Sequence, residues 1–163
     1  MPSFDVVSRT DLPEVDNALQ GVMREIANRY DFKGSSCSIE RSDEILTIRA
    51  DDELKLKQVQ ELLRGYLAKR KVDHRALDYG EPEKASGNTI RQIIVIRQGI
   101  ARDLAQKMVK ELKGAKLKKN VQVAIQGNEL RISGKKRDDL QAAITLIKNM
   151  KLDQPLQYVN FRD

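Results

Sequence analysis

The sequence predicts an α+β protein made of two tandem ferredoxin-like units, each β-α-β-β-α-β, with antiparallel sheets and helices on one face. Three observations lead there. Four apolar stripes at helical spacing alternate with short runs of period two. Two pairs of those runs are joined by turn-forming residues and read as hairpins. The chain also repeats itself, because an ungapped shift of 84 residues lays CSIERSDEILTI on VQVAIQGNELRI.

The elements follow in order. SFDVVS opens the chain as a strand. Pro13 suits the first turn of a helix, where its missing N–H costs little, and Val15, Leu19, Val22, Met23 and Ile26 form that helix's stripe. SCSIER and ILTIRA make a hairpin around Ser42-Asp43-Glu44, with Cys37, Ile39, Leu46 and Ile48 on one face. The second helix carries Val59, Leu62, Leu63, Tyr66 and Leu67. A weaker strand near HRALDY completes the first unit, and the turn-rich EPEKASGN is a separating loop. RQIIVIR opens the second unit, followed by a helix with Ile100, Leu104, Met108 and Leu112. VQVAIQ and ELRIS pair through Gly127-Asn128, with Val121, Val123, Ile125, Leu130 and Ile132 on one face. The last helix carries Leu140, Ala143, Ile144, Ile147 and Met150, and PLQYVNF closes the chain. The units are expected at 1–82 and 89–163. The opposite sheet faces hold Ser, Gln, Thr and Arg, so each sheet turns one face to its helices and the other to water or a ligand.

Composition narrows the function classes. At 33% charged and 40% hydrophobic, the 163 residues have a soluble globular balance. No apolar run approaches the roughly 20 residues of a membrane helix, and the N-terminus lacks a secretion signal. Cys37 is the single cysteine, which excludes an intrachain disulfide and fits a cytoplasmic protein. His74 is the single histidine, so no Cys/His zinc set forms. Phosphate-loop and G-x-G-x-x-G patterns are absent, and Asp51, Asp52 and Glu53 need no role beyond a helix first turn. The expectation is a non-enzymatic protein with no catalytic residues, no metal and no cofactor.

Charge is uneven. Residues 1–80 carry 13 Lys/Arg and 15 Asp/Glu, whereas residues 81–163 carry 17 and 9. A basic half points to a polyanion, and a merely solubilising surface is the plainer alternative. The 84-residue shift sharpens the point by aligning Asp51, Asp52 and Glu53 with Lys135, Lys136 and Arg137. Both triplets sit where a strand gives way to a helix, an electropositive place that favours acids. Bases there cost about 0.3–1 kcal/mol each unless a phosphate binds to them and to the helix N–H groups. Asp138 and Asp139 partly compensate, which supports cations that simply project into water. A second basic run, KMVKELKGAKLKK, places Lys116, Lys118 and Lys119 beyond the helix end, where the helix dipole does not explain them. Arg131, on the polar sheet face, is placed to assist.

A β-α-β-β-α-β unit with an open polar face has the plan of RNA-recognition domains, which stack bases on aromatics of the central strands. That signature is missing: ILTIRA and ELRISG have no aromatic, and residues 81–157 contain no Phe or Tyr. The seven aromatics lie elsewhere. Phe4, Tyr158 and Phe161 come together only if the first strand joins the second unit's sheet. In YDFKGSS, Tyr30 and Phe32 fit a helix stop with Gly34 in a left-handed position and Phe32 packed on the last turn. A ligand reading instead stacks a base on Phe32 and sets Lys33 and Ser35 on phosphate.

Together SFDVVS, YDFKGS, ISGKKRDDLQ and YVNFRD resemble the YajQ family of bacterial proteins across essentially the whole chain. The resemblance implies tandem RNP-like domains that exchange their first strands. It also implies nucleotide binding with association to RNA, including tRNA, and in some members a response to cyclic di-GMP. The cyclic di-GMP pattern R-x-x-x-R is absent here. The expected function is nucleotide or RNA binding through Lys116, Lys118, Lys119, Arg131, Lys135, Lys136 and Arg137, with Phe32 and Lys33 as a weaker site. The alternatives are a cyclic di-GMP-responsive regulator and an oligomeric protein–protein adaptor.

Overall fold

The computed structural model describes residues 1–115 and 120–163. Its strands are β1 (Ser3–Val7), β2 (Ser38–Ser42), β3 (Ile45–Ala50), β4 (Leu77–Tyr79), β5 (Glu83–Ala85), β6 (Thr89–Ile96), β7 (Val121–Gln126), β8 (Glu129–Gly134) and β9 (Gln157–Arg162). Its helices are α1 (Leu12–Asn28), α2 (Glu53–Lys69), α3 (Arg102–Gly114) and α4 (Arg137–Asn149). The α+β class with antiparallel sheets agrees with the pattern read from sequence. EPEKASGN departs from it, since Glu83–Ala85 pairs with β6. Three short residues there carry no alternating pattern to announce a strand.

The chain divides into two compact units. One is contiguous, Thr10–Arg97, and the other joins Met1–Arg9 to Gln98–Asp163. The spatial division therefore differs from a linear cut between residues 82 and 89. In the contiguous unit the strand order is β2-β3-β6-β4. In the discontinuous unit it is β7-β8-β1-β9. Both are ferredoxin-like orders, and in the discontinuous unit the inner strand β1 lies far in sequence from both its neighbours, β8 and β9. β1 runs antiparallel to β8, with Phe4 opposite Ile132, and to β9, with Val6 opposite Tyr158.

The repeat is visible in the elements. β3 and β8 begin and end 84 residues apart, as do the starts of α2 and α4. Each unit has its own core. In the contiguous unit α1 and α2 cover Leu46, Ile48, Ile94 and Ile96. In the other, Phe4, Val6, Leu130 and Ile132 pack with Met108 and Leu112 of α3 and Ala143 and Ile147 of α4. Phe4 also stacks on Phe161 at 5.4 Å and meets Tyr158 edge-on at 6.1 Å. The end of β1 is held by Ser8, whose hydroxyl donates to the Pro155 carbonyl at 2.8 Å. The Gln154 amide donates in turn to Ser8 Oγ and to the Gly99 carbonyl. Gly99 is left-handed (φ 82°), and a side chain there would strike Asn128.

Candidate nucleic-acid interface

The junction between β8 and α4 holds the basic triplet. Gly134 ends β8, and its N–H donates to the Pro2 carbonyl at 3.0 Å. A Cβ at Gly134 would lie 3.0 Å from the Asn120 carbonyl oxygen, so a side chain there would push the two segments slightly apart. Lys136 occupies the N-cap position of α4 and offers no side-chain cap. Its repeat equivalent, Asp52, caps α2 by accepting from Lys55 N–H at 2.8 Å. Asp11 does the same for α1, while Ala101, at the N-cap of α3, has no side chain to cap it. A cap position that holds an acid in one repeat thus holds a cation in the other, and of the first-turn donors the Asp139 N–H turns back to the Lys136 carbonyl at 3.1 Å.

Lys135, Lys136 and Arg137 are all exposed. Lys135 and Lys136 line a cleft of about 220 Å³ with Met1, Asn120, Gln122 and Asp139. Arg137 lines a neighbouring cleft of about 300 Å³ with Pro2, Ser3, Phe161 and Arg162 among others. Its guanidinium meets the Asp163 carboxylate, both side chains being more than 70% exposed. Such a pair holds its partners only weakly and an incoming anion can exchange with it.

On the sheet face away from the helices, Asp5 sits at the centre of β1 and is 4% exposed. Arg131 Nε of β8 donates to one carboxylate oxygen at 2.9 Å. Arg162 Nη2 of β9 donates to the other at 3.3 Å, and Asn160 Nδ2 to the same oxygen at 2.8 Å. A bulge makes this convergence possible. Ser3 faces Arg162 and Asp5 faces Val159, which leaves an extra residue on β9, with Asn160 at φ 57°. The Arg131 hydrogen bond, with the help of Asn160 and Arg162, outweighs burial and holds the Asp5 carboxyl down at about 2. Two guanidiniums thus share one carboxylate and leave a net positive charge.

The structure brings Arg131, Lys135, Lys136 and Arg137 into one unit. Lys116, Lys118 and Lys119 lie outside the described residues. The YDFKGSS stretch corrects an expectation. Phe32 is 2% exposed in the core of the contiguous unit, with Arg29 5.3 Å and Lys55 4.9 Å from its ring centroid. It offers no face to a base. Tyr30, read with Phe32 as part of a helix stop, is 88% exposed, and Lys33 is exposed too. Ser36 donates from its N–H and hydroxyl to Asp51, which lowers that carboxyl below its ordinary value. The residues missed from sequence are Asp5, Asn160 and Arg162. The polar ending YVNFRD was the available signal, but its meaning depends on which strand lies beside it.

Among the described residues no cluster of three His, Cys, Asp or Glu side chains could hold a metal ion, and no helix is long and apolar enough to cross a membrane.

Comparison with known proteins adds a family. Residues 2–162 match the model of the family described as nucleotide-binding protein YajQ-like. A nucleotide-binding protein of Parvibaculum lavamentivorans is 63% identical over 163 residues, covering all of both chains. A nucleotide-binding protein of Paramagnetospirillum magneticum is likewise 63% identical over the full length of both. One from Rhodospirillum centenum is 57% identical over the same span.

Proposed function

The chain belongs to the YajQ-like family, and from that premise we propose that it is a non-enzymatic nucleotide-binding protein acting on RNA. Its phosphates would be held by the base-lined start of α4 in the discontinuous unit. The observation that carries this reading is Lys136 in the cap position where the repeat has Asp52. Lys135 and Lys136 in one cleft and Arg137 in the next supply cations around N–H groups that already favour an anion. Arg131 adds a further cation on the sheet face. Charge agrees: the discontinuous unit has 15 Lys/Arg and 8 Asp/Glu, against 15 and 16 in the other.

The test is fluorescence anisotropy of labelled single-stranded RNA across a salt series. Affinity is expected to fall steeply with salt, each phosphate contact contributing about 0.7 to the log–log slope. The triple variant Lys135→Asp, Lys136→Asp, Arg137→Glu restores the acids of the first repeat. It is expected to lose at least tenfold in affinity and to flatten that slope. Binding indifferent to salt and to this variant would refute the proposal.

A protein partner is a second reading, favoured by Val95, 39% exposed on the non-helical face of the contiguous unit with Ile45 and Ile93 at its side. Sedimentation that shifts with concentration and is abolished by Val95→Glu would support it.

A further inference from the structure

The Asp5 cluster does more than join strands. β1, β8 and β9 are already held by their ladders, and β1 contributes a carboxylate that is nearly fully buried. The carboxylate draws two arginines from opposite neighbours to the middle of one open sheet face. Their side chains stay 37% and 45% exposed, and one carboxylate cannot neutralise both. Among the described residues, Arg131 bonds only through Nε, so its two terminal amino groups remain available as a donor fork. Arg162 holds Asp5 at 3.3 Å and Ser3 Oγ at 3.4 Å, contacts long enough to yield to a better acceptor.

Arg162 also links this pair to the start of α4, since it lines the same cleft as Arg137. Arg131 and Lys135 are four residues apart along the chain at the end of β8, on the order of 13 Å of backbone at the strand rise, and Arg131 is turned toward β1 by its bond to Asp5.

We propose that Arg131 and Arg162, aimed by Asp5 as a positioning residue, form a second phosphate subsite on the sheet face, so that the ligand is an oligonucleotide rather than a mononucleotide. This rests on the reading of the α4 junction as a phosphate site. The ligand would run from that junction across β8 and β1, with backbone contacts and no stacking platform. Arginine suits the subsite because its planar fork engages two oxygens of one phosphate.

The experiment uses the full-length chain with 5′-fluorescein-labelled oligouridylates of six and two nucleotides, with uridine monophosphate as competitor, each over a salt series. The six-mer is expected to bind at least tenfold more tightly than the dimer, and the monophosphate to compete weakly. Arg162→Gln is expected to weaken the six-mer roughly tenfold and to lower its salt slope by about 0.7, with little change for the dimer. Arg131→Lys, which keeps the charge beside Asp5 and hence the fold, is expected to weaken the six-mer while the melting temperature holds. A purely strand-joining role predicts lower melting temperatures with affinity and slope unchanged, and that result overturns the proposal. Six-mer binding weakened by the Lys135→Asp, Lys136→Asp, Arg137→Glu variant but untouched at Arg131 and Arg162 overturns the subsite alone. No binding of either oligonucleotide by the wild-type chain removes both the subsite and the α4 reading.

Discussion

Asp5 shows how one residue acquires a role its neighbours in sequence do not announce. In SFDVVS it is one acid in a strand; between β8 and β9 it is a buried carboxylate with three donors. Its folded value of about 2 lies below the ordinary 3.8, so its contribution is complete above about pH 4 and is lost as pH falls through about 2. The shift corresponds to roughly 2 kcal/mol. Urea unfolding of Asp5→Asn is therefore expected to show a deficit at pH 5 that shrinks toward pH 2, and a deficit independent of pH would contradict this account. Phe32 and Tyr30 make the complementary point. Phe32→Ala should destabilise the contiguous unit by about 3–5 kcal/mol, because it empties a packed site beneath two cations. Tyr30→Ala, at an exposed position, should stay within about 0.5 kcal/mol in the same denaturation assay.

At the scale of elements, the two repeats perform a comparison on themselves. α2 begins with an aspartate cap and α4, at the equivalent position, with a lysine. Lys136→Asp should accordingly raise stability by about 0.5–1 kcal/mol while weakening the RNA binding proposed above. A change that stabilises the helix and leaves binding intact would argue that the lysine is only solvated. The α1–α2 contact rests on another close fit. A Cβ at Gly21 would fall 2.4 Å from the Tyr66 ring, whose hydroxyl donates to Glu25 at 3.0 Å. Gly21→Ala thus overpacks the interface, and a loss of about 1–3 kcal/mol by thermal melting is expected despite alanine's better helix propensity.

At the scale of the whole molecule, exchange of first strands makes one unit contiguous and the other dependent on both ends of the chain. A fragment spanning residues 10–97 contains every strand of its sheet and should unfold cooperatively. A fragment spanning 98–163 lacks the central strand β1 and should not, until a peptide of residues 1–9 is added. Circular dichroism with urea titration of the two fragments checks this, and cooperative unfolding of 98–163 alone would disprove it.

Local chemistry and pattern carried a good deal by themselves. The 84-residue repeat, the helical stripes and the period-two runs determined the α+β class. The same repeat exposed Lys135, Lys136 and Arg137 as cations in an acid's place, because charge at a helix start is a local matter. Strand neighbours are not local. The pairing of β1 with β8 and β9, and so the meeting of Asp5 with Arg131 and Arg162, was decided by tertiary structure. So was the choice between Tyr30 and Phe32 for the core, since both are aromatic, two residues apart in one turn, and only the packing of α1, α2 and the Phe32 ring distinguishes them.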